Sequence, residues 1–232
     1  MQKLIRFRLS LLMFLEYFTW GAWYVTMGTY LFANFKADAI YVGSAYANLS
    51  IAAIVSPFFI GLIADRYFSA QKVLGVLHLL GAATLYYIGI ITESNTFWRL
   101  ILLYILFYMP TIALANSISF TQMKDASKEF PAVRVFGTIG WIAAGILIGF
   151  RKIESSALTF RIAAVASLLL GLFSFFLPDT PPKRNNSNKL SAILGLDAFV
   201  LFKSRSFIVF FISSIAICIP FFLFQFYKFI FK

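Results

Sequence analysis

Cysteine and histidine are almost missing from this 232-residue chain, where Cys218 and His78 each stand alone. A single cysteine excludes an internal disulfide and a thiolate metal cluster, and a single histidine excludes a multi-histidine metal site. No cofactor and no metal are expected. Charge is scarce as well. Only 12% of residues are charged, where a water-soluble domain carries about a quarter. What fills the space is apolar: 61% of residues are hydrophobic and 29 are phenylalanine. Several stretches of about 20 apolar residues make the chain an all-α membrane protein with the lipid bilayer as its solvent. The net charge of +11 does not imply nucleic acid, because the basic residues sit in the gaps between apolar runs and read as topology signals.

Taken in order, the runs give a half-domain over 1–178 with six spans, at about 9–33, 40–64, 73–91, 100–120, 132–150 and 158–177. The first follows Lys3, Arg6 and Arg8 and is too long for a signal peptide, with Glu16 and bulky aromatics inside it. Glu16 lies eight residues past Arg8, roughly 12 Å into the bilayer at 1.5 Å per residue. Two roles are open to it. It can bond a neighbouring helix or a buried cation, or it can serve as a protonatable coupling site. Trp20, Trp23 and Met27 continue on its side of the helix, with Tyr24 at the edge. The second span contains Asn48 and Pro57, and a proline there is expected to bend it. His78, among Leu, Val and Gly in the third span, reads as a hydrogen-bonded packing residue, with a proton relay as the alternative. In the fourth, Pro110 precedes Asn116, Ser117 and Ser119, while Tyr108, Thr111 and Ala115 share a face. Asn116 can glue helices together or line a binding cavity.

The fifth span carries a lone Arg134, with Thr138, Trp141 and Gly145 on the same narrow stripe at about 100° per residue. An arginine inside lipid costs roughly 2.5–3.5 kcal/mol and should therefore face protein, water or a ligand. The plainer alternative is a helix start from which Arg134 snorkels, with Gly145 and Gly149 admitting a neighbouring helix. From Pro178 the character changes. The 179–206 segment is a polar, proline-broken linker, with an interfacial helix expected at 190–202, and a seventh apolar run occupies 207–232.

Lys and Arg distribute unevenly between alternate loops. Lys3, Arg6, Arg8, Arg66, Lys72, Lys124, Lys128, Lys183, Arg184, Lys189, Lys203 and Arg205 fall on one side. Lys36, Arg99, Arg151, Lys152 and Arg161 fall on the other. That is 12 against 5, which puts the amino terminus in the cytoplasm.

The turn after the second span reads Gly61-Leu-Ile-Ala-Asp65-Arg66. This G-x-x-x-D-R resembles the loop signature of the major facilitator superfamily, in which it helps hold one conformational state. The following Phe68, Ser69 and Ala70 depart from the pattern. Longer strings carry a closer likeness: FLEYFTWGAWYVTMGTYL, GLIADRYFSAQKVLGVLHLLGA, YMPTIALANSISF, FPAVRVFGTIGW and GLDAFVLFKSRSFIVFFI. Together they resemble the nucleoside:proton symporter family of the bacterial inner membrane.

The resemblance implies the N-terminal six-helix half of a major facilitator fold plus an incomplete seventh span. It also implies uptake of nucleosides driven by protons, with no enzyme activity. The family's R-x-x-x-T-x-x-aromatic pattern falls on Arg134, Thr138 and Trp141, and a seventh-span polar contact falls near Gln225. No G-P-x-x-G-G antiporter run is present, which favours a symporter or uniporter. The expected candidates are thus Arg134, Thr138, Trp141, Trp20, Trp23, Tyr24, Asn116 and Gln225 for substrate and Glu16 for the proton. Gly61, Asp65 and Arg66 form the conformational loop. A chain ending within the seventh span is expected to be a truncated product, or a half that self-associates. Transport of another polar solute such as a sugar, or a non-transporting membrane subunit, are the competing readings.

Overall fold

The computed structural model describes residues 3–182 and 196–216, with the side chains of 57–59, 61–63, 65, 66 and 196–198 left aside. It divides at position 184 into two units. Every regular element among the described residues is helical. In the first unit these are α1 (Lys3–Gly21), α2 (Met27–Phe35), α3 (Ala39–Arg66), α4 (Ala70–Ile88), α5 (Ser94–Gln122), α6 (Ala126–Arg151) and α7 (Leu158–Ser174). By length and composition alone, α5, α6 and the Ala39–Ser56 part of α3 could each cross a membrane.

The run expected as one first span is two helices. Residues 22–26 form a turn, although no proline lies there. The cause is a side chain from α3. The Tyr46 hydroxyl donates to the Tyr24 carbonyl at 2.8 Å and accepts from the Gly28 amide at 3.1 Å. Those two backbone groups would bond each other in an unbroken helix, so the phenol has entered the ladder and bent it.

The polar interval expected at 121–130 is shorter than its composition suggested. α5 runs on to Gln122 and α6 begins at Ala126, because the Asp125 side chain caps it by accepting from the Lys128 amide at 3.3 Å. Glu93 does the same for α5 at the Thr96 amide. Lys36 and Lys152 close α2 and α6 in the left-handed conformation, with their charges near the negative helix ends.

α1 packs mainly on α6 and also meets α7 and α5, while α4 lies against α7 and α5, and α3 against α5. Two apolar clusters result. One contains Trp23, Tyr30, Phe97, Tyr104 and Phe160, and the other Leu9, Leu12, Leu74, Ile118 and Leu170. Large apolar side chains also remain uncovered, among them Ile139, Ile142, Ile146 and Phe150 on α6 and Val165, Leu168 and Leu172 on α7. Such faces suit hydrocarbon and not water.

Just past α7 the chain folds back on the start of α4. Gln71 donates to Asp179 at 2.6 Å and accepts from the Thr180 amide at 3.0 Å, and Gln122 donates to the Asp179 carbonyl at 3.0 Å. The Gln71 hydrogen bond, with Ser69 and the Lys72 charge, holds the Asp179 carboxyl below its usual range. A depressed carboxyl contributes stability above its unfolded pKa and loses it as pH falls through the folded value. Asp179→Ala should therefore melt below wild type at pH 7, the two converging below about pH 4. A gap that does not narrow as pH falls below about 4 would assign the effect to packing instead of charge.

In the second unit, a 3-10 helix at Leu196–Lys203 leads into α8 (Arg205–Ala216). Phe202 ties them together through ring contacts to Phe207 and Phe211 at 5.2 and 5.0 Å. The 3-10 helix falls at the end of the segment where an interfacial helix was expected.

Candidate functional site

The α1–α6 contact is close because glycine permits it. A Cβ on Gly140 would collide with the backbone carbonyl of Phe14, and one on Gly137 would lie 2.7 Å from the Tyr17 ring. Gly145, expected to admit a helix, meets nothing within 4 Å among the described residues. The stripe with Arg134 and Trp141 thus flanks the packing face of α6, rotated from it by roughly 90°. Arg134 is no helix-start residue either. It lies eight residues inside α6, about 12 Å from its first residue, and its guanidinium carbon sits 3.9 Å from the centroid of the Tyr17 ring. No carboxylate among the described residues pairs with it. Thr138, one turn on, is exposed.

Aromatic rings continue from that cation along α1. Trp20 meets Tyr17 at 6.2 Å, Tyr24 at 5.7 Å and Tyr108 of α5 at 5.9 Å. Trp141 places its ring edge-to-face with Trp20 at 5.3 Å and tilted to Tyr24 at 6.2 Å. Both Trp20 and Trp141 are half-buried, so part of each ring stays open. The Trp20 indole N–H is buried without a hydrogen-bond partner, an expensive arrangement that an incoming acceptor would relieve. These observations bring Arg134, Trp141, Trp20 and Tyr24 together. Trp23 is elsewhere. It is fully buried in the first apolar cluster, against Tyr104 at 5.4 Å, and presents no open face. Asn116 is half-buried on α5 with its Oδ1 unpartnered. Gly61, Asp65 and Arg66 form the last turns of α3 with side chains outside those described, and Gln225 lies outside the described residues.

One turn before Trp20, on the same side of α1, lies a polar layer at the junction of the two apolar clusters. Glu16 Oε2 is 2.9 Å from His78 Nε2 of α4, and Oε1 accepts from Thr111 of α5 at 2.7 Å. Tyr108 donates to the Glu16 carbonyl at 2.7 Å. His78 Nδ1 is 3.0 Å from Ser167 Oγ of α7, which also contacts the His78 carbonyl at 2.9 Å. Glu16 is 0% and His78 2% exposed. A carboxylate and an imidazole at this depth are held only because every polar atom of the pair finds a partner. The sequence reading named His78 and Thr111 but did not join them to Glu16, and it did not single out Ser167. One signal was available: His78 follows the start of α4 by eight residues, as Glu16 follows Arg8, which gives both the same depth.

The chain has recognisable relatives. A family model described as "Nucleoside H+ symporter" matches residues 3–231. The chain is 45% identical over 221 residues to the putative nucleoside transporter YegT of Escherichia coli (strain K12), covering 92% of this chain and 52% of that protein. It is 37% identical to the xanthosine permease of the same organism, covering 90% and 51%. A crystal structure of the nucleoside transporter NupG superposes with a TM-score of 0.78 at 35% identity, over 94% of this chain and 54% of that one. The chain spans about half the length of the curated relatives it matches. These relatives are transporters and not enzymes, and the chain, all-helical with a matching fold, belongs to the nucleoside H+ symporter family.

Proposed function

We propose that this chain takes part in proton-coupled movement of nucleosides across the bacterial inner membrane, with its amino terminus in the cytoplasm. The α6 face of Arg134, Thr138 and Trp141 would bind the substrate, together with Trp20 and Tyr24 of α1. The observation that carries the reading is the half-open Trp141 ring, two turns along α6 from a guanidinium that no carboxylate among the described residues pairs with. A nucleoside offers a flat base and a hydroxylated sugar. An indole can stack on the first, for roughly 1–3 kcal/mol per base. A guanidinium and a hydroxyl can hydrogen-bond the second or the base carbonyls. The relatives named for nucleosides and xanthosine support this substrate class. Glu16 is the proposed proton site, being the acid buried in the first helix.

The test is binding of labelled uridine, adenosine and xanthosine to the purified chain in lipid nanodiscs. Trp141→Ala should weaken binding about 5–150-fold, the range that the loss of one stacked base implies. Trp141→Phe should recover most of it. Saturable binding of a sugar with no binding of any nucleoside would overturn the substrate class. Absence of all solute binding would leave family membership without transport function in this chain.

A further inference from the structure

The proton ascribed to Glu16 has a second owner. Hydrogen-bond counting around His78 fixes where its protons lie. The Ser167 hydroxyl has one hydrogen and two neighbours, the His78 carbonyl at 2.9 Å and His78 Nδ1 at 3.0 Å. A carbonyl can only accept, so the hydroxyl donates to it. Ser167 Oγ must then accept from Nδ1, which is therefore an N–H. The 2.9 Å contact between Nε2 and Glu16 Oε2 likewise needs one hydrogen between two atoms. With that hydrogen on nitrogen the pair is imidazolium and carboxylate. With it on oxygen the pair is neutral imidazole and carboxylic acid. Both forms carry the same net charge of zero, and both keep every contact.

From this we propose that Glu16 and His78 form one proton-binding site, holding a single exchangeable proton between Oε2 and Nε2, with Ser167 setting the histidine tautomer that makes sharing feasible. The inference deepens the proton-coupling reading above and rests on it for its transport meaning. Loss of the shared proton would leave a carboxylate lone pair facing a bare nitrogen lone pair 2.9 Å away. No other described group at the pair can supply a hydrogen there. The single Thr111 hydroxyl hydrogen is shared between Oε1 and the Tyr108 carbonyl, and Tyr108 donates to the Glu16 backbone. The repulsion is relieved either by drawing α1 away from α4 or by moving the imidazole hydrogen from Nδ1 to Nε2 while Ser167 turns its O–H to Nδ1. Since α1 also bears Tyr17, Trp20 and Tyr24, with Trp20 one turn past Glu16, a movement of α1 on proton loss would be felt at the proposed substrate face.

The titratable and charged surroundings are few among the described residues. α5 presents the Tyr104 and Tyr108 phenols, α1 itself Tyr17, and α6 only Arg134, beyond the Tyr17 ring. α7 presents the uncharged Ser167. The Arg161 of that helix is turned to the Gly89 carbonyl. Nothing in this shell competes for the shared proton.

His78 is the sole histidine, so a chain labelled with 15N-histidine gives unambiguous imidazole signals. In nanodiscs, Nδ1 should carry a hydrogen and Nε2 should show a hydrogen shared with Glu16. In Glu16→Gln, whose amide can donate to Nε2, that nitrogen should read as an acceptor. In Ser167→Ala both tautomers should appear. A wild-type spectrum with bare Nδ1 and an Nε2–H, or one unchanged by Glu16→Gln, overturns the shared site. The wild-type spectrum decides the tautomer even if a variant misfolds. Because no substrate enters this experiment, its failure and a failure of nucleoside binding are read independently.

Discussion

Arg134→Ala should weaken nucleoside binding by about 10–150-fold, because a hydrogen bond to a charged group contributes roughly 1.5–3 kcal/mol. Folding should change much less. The guanidinium rests over Tyr17 at 3.9 Å, and a cation–π contact at a half-exposed site is worth about 0.5–1 kcal/mol. This gap between a large binding effect and a small stability effect is what distinguishes a ligand-facing arginine from a structural one. Arg134→Lys keeps the charge but loses the planar fork, so it should fall between the two. Titration of uridine into nanodisc samples, paired with thermal melts, checks both halves. Wild-type affinity in Arg134→Ala would reduce the residue to packing on Tyr17.

The largest structural effect is expected at Gly140. Its added Cβ would meet the Phe14 carbonyl, and backbone cannot rotate aside as a side chain can. Gly140→Val should force α1 and α6 apart and destabilise the fold by about 1–3 kcal/mol, the usual range for overpacking, or more. Gly145→Val, on the same helix but with nothing near it among the described residues, should stay within about 0.5 kcal/mol. Denaturant titration in mixed micelles reads the contrast. Equal effects at the two positions would mean that the α1–α6 approach is not glycine-dependent. The Gly140 variant should also disturb the Trp20–Trp141 contact, which intrinsic fluorescence reports.

The reversal between Gly145 and Gly140 shows where sequence reading stops. The spacing rightly put Arg134, Thr138, Trp141 and Gly145 on one stripe, because helical periodicity is a property of one helix. Which stripe meets a neighbour is a property of two. α6 is apolar nearly all round, so nothing in its own composition separates the packing face from the others. Glu16 was legible for a different reason. An acid in an apolar run is costly wherever it lies, and its identity alone demands a partner. His78 was not, since a neutral imidazole among leucines makes no such demand, and its partner lies 62 positions away. Trp23 and Trp20 show the same limit at shorter range. Three residues apart, they share a helix side but not an environment, one filling the core and the other bordering the proposed substrate face. The family strings made the architecture readable because they preserve long ordered matches, which no periodicity argument requires.

The Tyr46 phenol has a mechanical consequence. In hydrocarbon, an amide and a carbonyl released from a helix rung cost several kcal/mol if left alone. Here one hydroxyl serves both, so the bend at Tyr24 leaves neither group orphaned. The first passage is therefore two rods on a pinned elbow. The lower rod is steered by α6 and α7, and the upper one by α3. Leverage on either rod converges at Tyr24, whose ring touches Trp141.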